Sequence, residues 1–490
     1  MFQGTGSDVG KSTLVAGLCR IAKRRGLRVA PFKPQNMSNN AATCVDGGEI
    51  GRAQALQARA AGVELCTDFN PVLLNPQSDC AAQVVVHGRV LETLSAKSYM
   101  TERRSHLLDA VMQSFQRLKD QYDLVLIEGA GSAAEVNLRD KDIANMGFAR
   151  EANVPVCLIG DIDRGGVIAA IAGTKAVIDV EDANQIVSFI INRFRGDPRL
   201  FDDGITAIEN HTGWPCRGVV PWLPSAMRLP QEDAVVLEQW QSSADGKTDN
   251  NDSVVKISVP MLSRIANFDD VDPLRMEPGV ALTFVPPGQP IPLDSDAIIL
   301  PGTKSTIGDL AFMREQGWDH DVIAFARGGG RVLGLCGGYQ LLGQTVHDPE
   351  GVDGQPSQDK IKALGLLQVE TTMLSDKTTR PVSGHCARSG HPLNGYEIHS
   401  GTTSGADRER AMTHLPQGPE GAISADGRIE GTYLHGVFGS DAFRHWWLQS
   451  FGVTARSNLS YDKVVEEELD RLADGLELAL DVDALFAEAS

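Results

Sequence analysis

A chain of 490 residues, 42% hydrophobic and 22% charged, has the balance of ordinary globular protein and is too long for a single core. Its formal net charge of −19 argues against nucleic acid or an anionic membrane as the main partner, because their phosphates would be repelled. No apolar run approaches the roughly 18–20 residues that span a bilayer, and no signal-peptide core opens the chain.

In chain order, Met1-Phe2-Gln3 leads into Gly4-Thr5-Gly6-Ser7-Asp8-Val9-Gly10-Lys11-Ser12, which reads as a phosphate-binding loop entering a helix. Small residues let backbone N–H groups approach phosphate oxygens, and the helix adds its positive end. Lys11 is expected on the β- and γ-phosphates of ATP and the Ser12 hydroxyl on Mg²⁺, with Gly4, Thr5, Gly10 and Thr13 completing the nucleotide set. Thr5 stands where the common loop has its first glycine, a variant that resembles dethiobiotin synthetase-like ATPases. So little chain precedes the loop that its strand should be nearly absent and its anchoring weak, as in a shortened chain or a misassigned start.

Apolar runs at Leu27–Ala30, Leu124–Ile127, Val154–Ile159 and Gln185–Ile191, spaced by helix-like segments, predict βαβ units and a mainly parallel sheet. Ligands should then gather where the strands end. Lys33, between Phe32 and Pro34, is placed to neutralise a transferring phosphoryl group or a substrate carboxylate. Glu128 ends an apolar strand beside glycines, where an unpaired carboxylate costs several kcal/mol, so a Mg²⁺ ligand is expected. Asp46 is a second metal candidate, with turn capping as the competing role. Asp161 and Asp163 are divided between metal or substrate contact and loop structure. Asn192, just beyond Ile191, is placed to read the adenine edge.

The segment 241–253 holds no apolar residue larger than alanine and marks a boundary. The expected division is a phosphate-loop synthetase domain over 1–238, a linker over 239–253, a second α/β domain over 254–445 and a helical tail over 446–490. In the second domain, Arg331–Leu335 runs into Cys336-Gly337-Gly338 and a helical stretch. Such a strand–turn–helix elbow exposes the sulfur at the positive end of a helix, the setting of a nucleophile. The other seven cysteines lack this setting and form no Cys-x-x-Cys pair, as expected of reduced thiols in a cytoplasmic protein. His435, next to Gly436 after a strand, is the best base, and His399 its competitor. Backbone N–H groups at Gly302 and Gly337 are candidates to hold an oxyanion. Val465, Leu469, Leu472, Leu476 and Leu480 repeat at helical spacing and read as a packing stripe.

Taken together these stretches resemble the cobyric acid synthase family, the glutamine-dependent amidotransferases of cobalamin biosynthesis. The resemblance runs through Phe32–Asn40, Glu49–Gln54, Asn70–Leu74, Glu128–Ser132, Asp161–Gly166, Arg193–Asp197, Ile265–Asp270, the Cys336 elbow, Gly395–His399 and Tyr433–Gly436. It implies an α/β chain with a dethiobiotin synthetase-like domain followed by a class I glutaminase-like domain. It also implies a reaction in which ATP and glutamine amidate the b, d, e and g carboxylates of a corrinoid, adenosylcobyrinic acid a,c-diamide. Cys336 matches the family nucleophile and His435 its histidine. Many class I glutaminases carry a glutamate two residues after that histidine, where this chain has Val437, so a Cys–His dyad is expected. The nearest rival is cobyrinic acid a,c-diamide synthase, disfavoured by Gln35–Asn40 and Asp161–Gly166. A partitioning-type ATPase switch would need no Cys336 elbow, and a glutaminase-dead scaffold would not keep Cys336 and His435.

Overall fold

Short apolar strands build a parallel sheet in each half of the chain. The computed structural model describes residues 1–76, 81–95, 104–232, 254–353, 357, 359–452 and 457–489, so Cys80 and the 241–253 linker lie outside them. Two compact units emerge, one of Met1–Ser38, Gly48–Pro230 and Val465–Ser490, the other of Asn39–Gly47 and Gln231–Val464. The expected linear division is thus redrawn twice. Nine residues of the first half join the second unit, and the end of the expected tail joins the first.

The first unit includes the strands β1 (Phe2–Gly4), β2 (Val29–Phe32), β3 (Leu124–Ile127), β4 (Val156–Asp161), β5 (Ile186–Phe194) and β6 (Cys216–Pro221), beside a separate sheet of Gln35–Met37, Val72–Pro76, Ala81–Val86 and Arg89–Ser95. β1, β4, β5 and β6 lie side by side in parallel. β2 and β3 form a second parallel pair, reached through a bridge between Phe2 and Glu128. All three residues of β1 pair with β4, Phe2 also bridges to Glu128 on the other side, and the Met1 ammonium donates to the Pro155 carbonyl at 2.8 Å. Weak anchoring of the loop is not what the fold shows.

The helix Lys11–Arg24 after the loop buries Leu14, Leu18 and Ile21. Its Gly17 faces Leu472 and Leu476 of the helix Tyr461–Ala479, and a Cβ on Gly17 would stand 2.4 Å from Leu476 Cδ1. Val465, Leu469, Leu472 and Leu476 are fully buried, as a packing stripe requires. Arg20 of the loop helix pairs with Glu466 at 2.8 Å and Asp470 at 2.7 Å. No described helix is long and apolar enough to cross a membrane.

In the second unit the strands are β7 (Val255–Pro260), β8 (Val280–Val285), β9 (Ala297–Leu300), β10 (Arg331–Leu335), β11 (Glu370–Cys386), β12 (Pro392–Ser404), β13 (Ile429–Thr432) and β14 (Leu434–His435). The order β8-β7-β9-β10-β13 is parallel throughout, and Ala422–Ile423 closes it antiparallel to β13. β11 and β12 form a long antiparallel hairpin, and β14 pairs with β12 so that His435 faces Tyr396 across the ladder. Ile257, Val259, Ile299, Leu333 and Trp318 fill the core. The chain is α/β, as its alternating pattern predicts.

Candidate functional site

Cys336 follows β10 directly and stands at φ 51°, ψ −109°, a left-handed conformation that a non-glycine residue rarely adopts. The helix Gly337–Leu342 leaves at once, and a Cβ on Gly338 would stand 2.1 Å from the Leu300 carbonyl oxygen. Only glycine lets the backbone turn this closely against β9. The Cys336 Sγ donates to the Ile398 carbonyl at 3.2 Å.

His435 is buried beside it. Its Nδ1 lies 2.7 Å from Asp270 Oδ2, and the other Asp270 oxygen accepts from the Gly436 N–H at 2.7 Å. The ring stacks on Tyr396, with centroids 5.0 Å apart. Burial opposes a charge on His435, but Asp270 and Cys336 outweigh it, with hydrogen bonds to both, and raise its pKa to about 10. A protonated imidazole beside Cys336 is placed to hand a proton to a leaving group.

The expected dyad is therefore corrected to a line of three groups. The position two residues after the histidine, Val437, is buried in the core, while the orienting acid arrives from the short turn Phe268–Val271. Asp270 lay within a stretch that carried the family resemblance, yet no local spacing tied it to His435. His399 is stacked face to face on Tyr433 at 3.8 Å. Burial, with His435 adding repulsion, lowers its pKa to about 4, so it stays neutral and is no rival base at neutral pH.

Gly302 and Gly337 meet at the same place. A Cβ on Gly302 would lie 3.4 Å from His435 Cε1, and one on Gly337 would lie 2.4 Å from Thr303 Cγ2. Gly302–Thr303 pairs with Ile265–Ala266, and Asp309 fixes this stretch by accepting from Thr303 Oγ1 and, at 2.6 Å, from Ser263 Oγ. First-turn N–H groups have no partner within their own helix, so the N–H at Gly337 is a donor beside the sulfur.

In the first unit, Lys11 donates to the carbonyls of Gly6 and Gly131, each at 2.9 Å. Thr5 donates its N–H to the Ile159 carbonyl at 2.9 Å, Gly4 accepts from Ala133, and Thr13 is half-buried in the first helical turn. Glu128 gathers the other predicted groups. It accepts from Ser12 Oγ at 2.7 Å, Lys33 Nζ at 2.8 Å and Gln57 Nε2 at 2.6 Å. Burial opposes ionisation of Glu128, yet Lys33 and these hydrogen bonds hold its carboxyl below the ordinary range. Gln57, and Gln54 at 3.3 Å, were not foreseen, because glutamines on a helix carry no distinctive signal.

A hydroxyl and an ionised carboxylate in contact suit Mg²⁺, which binds one or two protein oxygens together with substrate phosphates and water. Among the described residues no group of three or more His, Cys, Asp or Glu could hold an ion by itself. Asp46, the second metal candidate, lies in an exposed turn after Ala41–Thr43, in a segment that belongs to the second unit. Asn192 donates its amide to the Val9 carbonyl at 2.8 Å, which commits that N–H to the loop rather than to adenine. Arg193 binds Asp161 at 3.0 Å and Asp8 at 2.9 Å, and Arg195 binds Asp163 at 2.5 Å, so both aspartates serve ion pairs that shape the loops.

Residues 1–236 match the family described as "CobQ/CobB/MinD/ParA nucleotide binding domain", and residues 256–443 match "CobB/CobQ-like glutamine amidotransferase domain". A cobyric acid synthase of Hyphomonas neptunium is 63% identical over 490 residues, covering 100% of this chain and 97% of that one. Those of Paracoccus denitrificans and Brucella suis are 59% and 54% identical over 489 residues, each covering 100% of this chain and 99% of the relative. With a phosphate loop in one unit, a Cys–His–Asp line in the other and such identity from end to end, the chain belongs to the cobyric acid synthase family of glutamine amidotransferases.

Proposed function

We propose that this protein uses ATP and glutamine to amidate the b, d, e and g carboxylates of adenosylcobyrinic acid a,c-diamide, giving adenosylcobyric acid. The observation that carries the reading is that one chain holds a buried Cys336–His435–Asp270 line and a Lys11, Ser12, Lys33 and Glu128 cluster. The first releases ammonia and the second activates a carboxylate.

At the first site the Cys336 thiolate attacks the side-chain carbonyl carbon of glutamine. N–H groups at Gly337 and the Gly302 stretch stabilise the oxyanion. His435 hands its proton to the departing nitrogen, ammonia leaves, and water then releases glutamate from the thioester. At the second site a corrinoid carboxylate oxygen attacks the γ-phosphorus of ATP, ADP leaves, and an acyl phosphate forms. Lys11 and Lys33 offset the developing charge. Ser12 and Glu128 are the residues that would hold Mg²⁺, which screens the phosphate oxygens when bound. Ammonia then attacks the acyl carbon and phosphate departs.

The test is mass spectrometry of the corrinoid product, in which each carboxylate-to-amide exchange is countable. Wild type should add four amides from glutamine. Cys336→Ala should add them only from supplied ammonia, and Lys11→Ala should add none from either source while still hydrolysing glutamine. Loss of ammonia-dependent amidation in Cys336→Ala would overturn the division of labour. A product with amides at two carboxylates only would favour an a,c-diamide-type activity instead.

A further inference from the structure

The nine residues Asn39–Gly47 leave the phosphate-loop half of the sequence and pack with the second unit. Within that unit Asn40 is buried, and its Oδ1 accepts from the Asn267 N–H at 2.5 Å. Asn267 returns the contact, its Oδ1 accepting from the Ala41 N–H at 3.0 Å. Asn40 Nδ2 also donates to the Glu232 carbonyl at 2.5 Å. Asn267 stands at φ 50°, a left-handed conformation that the pair of hydrogen bonds helps to hold.

The conformation of Asn267 bears on the base of the glutaminase through the turn that follows it. Asn267 begins the turn Phe268–Val271, which carries Asp270 to His435 Nδ1. Only an amide oxygen can accept from Ala41, so Asn267 Nδ2 must face the other way, where it lies 3.5 Å from His435 Nε2. The turn Phe268–Val271 therefore holds the imidazole through Asp270 at Nδ1, while Asn267 Nδ2 only packs against the protonated Nε2, which has no lone pair to accept a hydrogen bond. The start of the turn is secured by a residue seven positions beyond Lys33.

We propose that Asn40 is a positioning residue for the glutaminase, acting through Asn267 to set the turn that brings Asp270 to His435. The segment that departs from the phosphate site at Lys33 thereby supports the base of the other reaction. The inference rests on the glutaminase role of Cys336 and His435.

The test is steady-state glutamine hydrolysis by Asn40→Ala, with ammonia-dependent amidation measured in parallel. Displacing a base by a fraction of an ångström costs about 10- to 100-fold in rate. Asn40→Ala should lose about that much kcat with KM changed less than about twofold. Ammonia-dependent amidation should be retained. Unchanged kcat in Asn40→Ala, a loss carried by KM rather than kcat, or parallel loss of both activities would each overturn the proposal. If wild type makes no amide from ammonia, the amidation reading fails, while the hydrolysis comparison still decides the role of Asn40.

Discussion

At His435 burial pulls against charge, and the balance decides how Cys336 reacts. The Asp270 carboxylate holds the imidazole in one tautomer and supports the imidazolium, the task of the acid in a catalytic triad. Asp270→Asn keeps the shape and removes the charge, so kcat for glutamine hydrolysis should fall about 10²- to 10⁴-fold with KM little changed, as glutamate release would report. A true dyad would lose less than about threefold. The raised pKa also makes a stability statement. An unfolded histidine titrates near 6.5, whereas His435 in the fold titrates near 10, so its stabilising contribution is complete below about 6.5 and is lost as pH rises through about 10. The gap in melting temperature between wild type and His435→Gln should therefore narrow from pH 6 to pH 10; a constant gap would contradict the charge assigned to His435.

The elements explain why these side chains are where they are. The elbow at Cys336 depends on the helix Gly337–Leu342 pressing onto β9, and Gly338 is the point of contact. Alanine at 338 would gain about 1 kcal/mol of helix propensity. Against that, a Cβ 2.1 Å from a backbone oxygen forces a shift of the kind that costs about 1–3 kcal/mol or more. Gly338→Ala should lower the urea midpoint and abolish glutamine hydrolysis, and an unchanged or raised midpoint would show that the turn has slack. The elbow was legible in the sequence because strand, turn and helix are contiguous. The stripe from Val465 to Leu480 was legible for the same reason, since periodicity is local. Its target, the Gly17 face of the loop helix, was not.

For the whole molecule, the path of the chain matters more than the linker. A fragment cut at the end of residue 238 would keep the phosphate loop but lose the helix that covers Gly17, together with the Arg20 partners Glu466 and Asp470. Such a fragment should melt well below the intact protein. Adding residues 457–490 as a separate peptide should raise its melting temperature, while equal stability with and without that peptide would mean the helix contributes little. Asp46 belongs to the same lesson. Its segment is adjacent in sequence to phosphate-site residues and yet packs with the other unit.

Contiguous residues were enough to specify the phosphate loop, Glu128 at a strand end, Cys336 at its elbow, His435, and the order of two α/β domains. Which distant groups complete these features depended on tertiary packing. Asp270 reaches His435 across 165 residues, Gln57 reaches Glu128 across 71, and Asn40 meets Asn267 across 227. The reason is physical. A turn or a helical stripe is written in neighbouring residues, whereas a buried carboxylate finds its partner only when packing closes the chain around it and removes the water that would otherwise serve both.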